Sequence, residues 1–359
     1  MKQGRTLQEL AVEIERQNNA KKDYLVSTEA LRMSNDNGYT TLDIPGMDPM
    51  GLTDVAHSQI GAYLEIPSRY YQRMRDSNPD LLVENVNGWL ERTPPASRMV
   101  RTLDGRARAF LSDKYRRIDN VQVAEAVLPI IARMPGAEVK SCEITDNKMY
   151  IKVVNPRLTE NVSVGDTVQG GILISNSEIG LGSVMVTPLI YRLVCSNGMV
   201  ITDGQVRKNH IGRTNESDVD YSILRSETIE AEDKAFIMKL QDAVTAATDE
   251  AMFRTRVKEL QDSKDAKIEP VIAHKVVELT AKQVGITQFE TEGVLGHLIA
   301  GGDLSLYGLG NAVTRFAQDV SSYDRSTDLE AIGYRVISLA PALFNNILSN
   351  ARKEVIDIK

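Results

Sequence analysis

Residues 92–117 hold eight basic side chains, Arg92, Arg98, Arg101, Arg106, Arg108, Lys114, Arg116 and Arg117, against only Asp104 and Asp113. Such a cluster is the footprint of a polyanion site, because a local patch rather than net charge sets phosphate attraction. Asp104-Gly105 divides the cluster between two runs of strand formers. Asp-Gly favours a two-residue hairpin turn, in which both positions take positive φ. The implied register sets Leu103 opposite Arg106, Arg101 opposite Arg108 and Met99 opposite Phe110. Alternation then gathers Arg101, Arg106 and Arg108 on one face with Met99, Leu103 and Phe110. Two arginines directly opposite destabilise a bare ribbon, and an anion between them removes that cost. A nucleic-acid phosphate, a carboxylate of another subunit and a carboxylate from elsewhere in the same fold are all open as that anion. So is splaying of both side chains into water.

Lys114, Arg116, Arg117, Arg207 and Lys208 extend the basic track, and Tyr115 stands among them as a base-stacking candidate. A second interleaving of charge and ring occurs at Arg69, Tyr70, Tyr71, Arg73 and Arg75, on one short helix. Single-strand binders combine a cationic groove with aromatic faces. The same residue types serve protein interfaces, and both readings stand here. Trp89 reads as a core or subsite anchor.

Other chemistry finds less support. His57, His210, His274 and His297 have no neighbouring ligand at zinc-site spacing. There is no Gly-Lys-Ser/Thr phosphate loop, and Gly308-Leu-Gly310 lacks the third glycine and the βαβ setting of a dinucleotide site. Cys195 with His210 is the one nucleophile-base pairing worth weighing. Leu193-Val194-Cys195 ends an apolar run, so this thiol reads as buried and structural, with Gly198 easing the turn that follows. Cys142 reads as packing. No cofactor, metal or catalytic residue is expected, and a non-enzymatic role is favoured.

The elements that must position these residues follow from pattern. The chain has 359 residues, 42% hydrophobic and 25% charged, with net charge −7. That deficit lies wholly in residues 217–359, which hold 16 Lys/Arg against 23 Asp/Glu, so residues 1–216 are neutral. No apolar run reaches the length of a membrane span, no signal peptide opens the chain, and two cysteines suit a reducing cytoplasm. Helices are expected at 6–20, in two short pieces over 53–76, from Asn78 through Leu90, and at 119–134 behind an Asp119 or Asn120 cap. Residues 140–154 form a second hairpin with Cys142, Ile144, Met149, Ile151 and Val153 on a buried face. Ser141, Glu143, Tyr150 and Lys152 lie on the other, so the ribbon reads as half-buried. Strands follow at 167–175, 183–194 and 199–201. From about 217 helical patterns dominate, over 218–262, 268–283, 289–300, 308–321 and 328–356. The fold class is therefore α+β: an antiparallel sheet of hairpins over 97–201 with flanking helices, then a mainly helical C-terminal region. The expected division is a core of residues 1–216 carrying the basic hairpin and an acidic helical region of residues 217–359.

Three blocks resemble the domain of unknown function 932 family, found in phage and mobile-element genomes. They are Arg101 through Asn120, Ile174-Ser-Asn-Ser177 with Tyr191 through Gly198, and Tyr307 through Arg315. The resemblance spans most of the chain and implies no catalytic residue. With the α+β pattern, its setting suggests by analogy a single-stranded DNA-binding or annealing protein of recombination or replication, acting as a homo-oligomer in the host cytoplasm. The alternative is a phage assembly component with the arginine hairpin at a subunit interface.

Overall fold

The computed structural model describes residues 1–202, 206–208, 226–246 and 249–356; at 206–208, 226–230, 233 and 356 the description is of the backbone alone. Helix α1 (Leu7–Ala20) begins at a reciprocal Thr6–Glu9 capping box. Strands β1 (Lys22–Ser27), β2 (Arg32–Asp36), β3 (Tyr39–Asp43) and β4 (Met50–Leu52) follow. Next come α2 (Asp54–Tyr63), α3 (Ser68–Ser77) and α4 (Pro79–Arg92), then the basic hairpin β5 (Ser97–Leu103) and β6 (Arg106–Ser112). These strands make a six-stranded sheet in the order β1-β5-β6-β4-β3-β2, antiparallel except for the β4–β6 pair. Leu52, Val100, Ala107 and Phe110 pack its inner face against Ile60, Tyr71, Met74, Leu82 and Val86 of the three helices. Trp89 is half exposed on α4, outside this core.

A second sheet begins after α5 (Asn120–Arg133), which Asp119 caps. Strands β7 (Glu138–Ile144), β8 (Met149–Ser163), β9 (Asp166–Asn176), β10 (Val184–Arg192) and β11 (Asn197–Val200) pair antiparallel in the order β11-β10-β9-β8-β7. The short β12 (Val206–Lys208) joins the other end of β10. The hairpins at 97–112 and 138–163 therefore belong to different sheets, which corrects the single sheet expected over 97–201. The pattern missed β1, which has no fully buried position, and β4, only three residues long; both strands claim the basic hairpin for the first sheet.

The predicted buried face of the second hairpin is observed. Cys142, Ile144, Met149, Ile151 and Val153 pack against Leu10 of α1, Val123 and Val127 of α5, and Phe236 and Leu240 of α6 (Ser226–Ala246). The opposite face is not solvated, however. It is covered by α7 (Glu250–Ser263), α10 (Leu306–Phe316) and α11 (Tyr323–Ile337). Lys152 is fully buried there and bonds Glu330 of α11 at 2.7 Å. A charge reads as an outward residue in a sequence, but a partner supplied from far along the chain can hold it inside.

Outside α10 and α11 lie α8 (Ala273–Val284), α9 (Gln288–Gly301) and α12 (Pro341–Ile356), which share a separate apolar core with them. The expected helices over 218–262 and 328–356 are each two helices, and the boundary expected near 216 falls outside the described residues. Among the described residues no single helix is long and apolar enough to cross a membrane.

Gly308-Leu-Gly310 lies within α10. A Cβ on Gly310 would stand 2.8 Å from the Gly333 carbonyl of α11, and one on Gly333 would stand 2.3 Å from Thr314 Cγ2. The glycines let two helix backbones touch. Gly333→Val should force them apart and cost about 1–3 kcal/mol in urea unfolding, in the range of core overpacking.

Candidate functional site: the arginine hairpin and the cleft at the β10–β11 turn

Asp104 and Gly105 take φ of 51° and 74°, so the two-residue turn is as the sequence predicts. The register beyond it is not. Leu103 faces Arg106 and Thr102 faces Ala107, but Arg101 then faces Ala109. Arg108 is the extra residue of a β-bulge, which offsets everything farther along, so Met99 pairs with Leu111 and Val100 with Phe110. Met99 and Phe110 consequently lie in cores on opposite sides of the sheet.

The bulge brings both arginines to the same residue, Glu178, one to its carboxylate and the other to its backbone carbonyl. Arg108 bonds Glu178 Oε2, while Arg101 Nη1 donates to the Glu178 carbonyl at 2.8 Å. Arg101 also donates to both oxygens of Asp23 at 2.8 and 3.2 Å and to Asp119 at 2.7 Å. It is 0% exposed. Lys21 reaches Asp119 at 2.8 Å and Glu178 at 3.4 Å, and the Asn120 backbone N–H donates to Glu178 Oε1 at 2.7 Å. Burial alone would raise the Asp119 carboxyl. The charge of Arg101 and the bonds from Lys21 and Arg101 outweigh it and hold Asp119 below the usual carboxylate range.

The anions that neutralise the arginines are thus carboxylates of the same chain, Asp23 and Asp119 for Arg101 and Glu178 for Arg108. This corrects the expectation that Arg101 and Arg108 contact phosphate: their donors point inward and solvent does not reach them. Tyr115 is also buried, donating to the Ser177 carbonyl at 3.3 Å, so its ring offers no stacking surface. Arg116 pairs with Glu232 at 2.9 Å, and Arg117, though exposed, reaches Asp23 at 3.3 Å. Arg106 and Lys114 remain exposed with no ion pair among the described residues. Arg207 and Lys208 sit on β12, their side chains outside the described residues, as is His210.

A second site was not anticipated. Tyr191 through Gly198 and Tyr307 through Arg315, which sequence alone could not connect, meet at the end of the second sheet. Arg192 is held by Asp166 at 2.5 and 2.9 Å, and Tyr307 donates to the same carboxylate at 2.9 Å. Beside them a cleft of about 230 Å³ opens between the β10–β11 turn and α9–α10, lined by Arg192, Cys195, His297, Asn311 and Arg315 among others. Cys195 is only partly buried, against expectation. The turn's positive φ falls on Ser196, at 51°, rather than on Gly198, which lies in β11.

These features define an α+β protein of two mainly antiparallel sheets, with a buried ion cluster at the joint between them and a polar cleft at the far end of the second. The family described as Domain of unknown function (DUF932) matches residues 109–332, well over half of the chain, and the chain belongs to that family. No curated protein and no solved structure matches.

Arg101→Met would take the buried guanidinium away from the Asp23 and Asp119 carboxylates and should cost about 3–5 kcal/mol in chemical denaturation, the range for breaking a buried ion pair. The Asp119 group adds a pH signature. Its folded pKa is below its unfolded one, so its contribution is present above about pH 4 and lost as pH falls further. Acid titration of unfolding free energy should show that loss in the native chain and a smaller one in Asp119→Asn.

Proposed function

We propose that the protein binds single-stranded nucleic acid through the exposed side of α3 rather than through the buried arginines. The observation that carries this is the set Arg69, Tyr70 and Arg73. All three are exposed, and neither arginine has an ion-pair partner among the described residues. Arg69 and Arg73 are one turn apart and share a helix face, with the Tyr70 ring, 45% exposed, beside them. Exposed guanidinium groups next to an open ring suit phosphates and a stacked base.

The placement of α3 lengthens the track. Arg75 bonds Asp54 at the start of α2 at 2.7 Å, so α3 runs back along α2. That bond and the Arg75 charge, with a contribution from Arg106, hold the Asp54 carboxyl low, which puts Arg106 near this end. At the other end of α2, Tyr63 lies under the Arg98 guanidinium, 4.5 Å from ring centroid to Cζ, close to the loop that carries Lys114. A row of cations thus follows the α2–α3 edge of the first sheet. A role in recombination or replication, in a phage or mobile-element setting within the host cytoplasm, with self-association along the strand, is consistent with such a row.

The test is fluorescence anisotropy with a labelled single-stranded oligonucleotide, titrated against salt. Arg69→Glu/Arg73→Glu should weaken binding at least ~10-fold and flatten the log–log salt slope by roughly 1–2. Arg352→Glu, on α12 and away from this edge, should leave binding unchanged. No binding by the native chain, or unchanged binding by the double variant, would contradict the proposal.

A further inference from the structure

The cleft at the β10–β11 turn holds groups that neither the fold nor nucleic-acid binding uses. Cys195 forms part of one wall, with Arg192 Nη1 3.4 Å from its Sγ. His297 of α9 lines the same cleft, and its Nε2 is 2.6 Å from Asp319 Oδ2. Arg315 Nη1 donates to the other oxygen of Asp319 at 3.1 Å. One imidazole nitrogen is therefore fixed by a carboxylate, while Nδ1 has no hydrogen bond among the described residues. Asn311 also lines the cleft. It is 8% exposed, and its Nδ2 donates to the Tyr307 carbonyl at 3.0 Å while its Oδ1 has no partner among the described residues. An amide oxygen without a partner in the lining of a cleft is a ready acceptor for a ligand N–H or O–H.

We propose that this cleft is an acyl-transfer site for small esters or thioesters, with Cys195 as nucleophile and His297 as acid and base. Asp319 is a positioning residue, setting the ring and its tautomer. A nucleophile, a base and a group that orients the base form the general pattern for such chemistry. At about 230 Å³ the cleft is smaller than the ~300–1,000 Å³ of ordinary ligand sites, so it suits a short acyl group and excludes a nucleotide. Leu298, Ala300 and Ala312 add apolar surface to its lining.

The thiol proton passes to His297, and the thiolate attacks the acyl carbon. The bond from that carbon to the leaving oxygen or sulfur breaks, and the leaving atom takes the proton from the imidazolium. Neutral His297 then takes a proton from water, whose oxygen attacks the Cys195 thioester. The tetrahedral species expels the thiolate, giving the free acid, and the imidazolium returns its proton to the sulfur. Ester and water are the only reactants consumed. Arg192 stands close enough to Sγ to stabilise the negative charge as it moves between sulfur and oxygen.

Cys142 gives an internal control, since it is 0% exposed and burial pushes its thiol up to about 12. The native chain should react with p-nitrophenyl acetate to give an acetyl adduct on Cys195, seen by peptide mass spectrometry, and with iodoacetamide at Cys195 rather than at Cys142. His297→Asn should slow acylation by about 100-fold while leaving Cys195 accessible to iodoacetamide. Asp319→Asn should slow acylation by a smaller factor and change its pH profile. Cys195→Ser should abolish the adduct while leaving oligonucleotide binding unchanged, so this inference and the nucleic-acid reading fail separately. The absence of an adduct, or acylation at the native rate in His297→Asn, would overturn the proposal.

Discussion

Glu178 is the point on which the two halves of the molecule close. It lies just after β9 of the second sheet and accepts from Arg108 of the first, from Lys21 between α1 and β1, and from the Asn120 N–H at the start of α5. Each sheet has its own apolar core, and oil-like contact alone would fix their relative orientation weakly. A cluster of buried charges does so strictly, because any other arrangement leaves a guanidinium or carboxylate unpaired out of water. Arg101 performs the complementary task, tying Asp23, Asp119 and the Glu178 backbone together while 0% exposed.

Local features were legible in the sequence where the signal was local. Asp104-Gly105 revealed the turn because both residues need positive φ. The alternation of Cys142, Ile144, Met149, Ile151 and Val153 revealed a buried face because the period of a strand is two. The register of the basic hairpin was not legible, since the bulge at Arg108 is an answer to Glu178, a residue 70 positions away. The burial of Lys152 depends likewise on Glu330, 178 positions on. Charge in a sequence signals solvent by default, and only tertiary partners reverse that default.

The same reasoning redistributes the candidate sites. Counting charge found the densest basic cluster but could not tell which of its members face water. Arg101, Arg108 and Tyr115 went inside, while Arg106 and Lys114 stayed out. Arg69, Tyr70 and Arg73 were visible as an interleaved set and are exposed together because Tyr71 and Met74 take the core-facing positions of the same helix. Cys195 was visible too, but the imidazole that shares its cleft is His297, separated in sequence by β11 and the helices that follow. No spacing rule reaches across that distance.

The central claim is that the hairpin arginines are consumed by the joint between the sheets. A double-mutant cycle on Arg108→Met and Glu178→Gln, followed by urea unfolding with folded-state spectra checked for each variant, tests it directly. The account predicts a coupling free energy of at least ~2 kcal/mol, with the double variant far more stable than the two single losses would allow. Additive losses would contradict it, showing that Arg108 and Glu178 do not depend on each other and that the joint is held by something else.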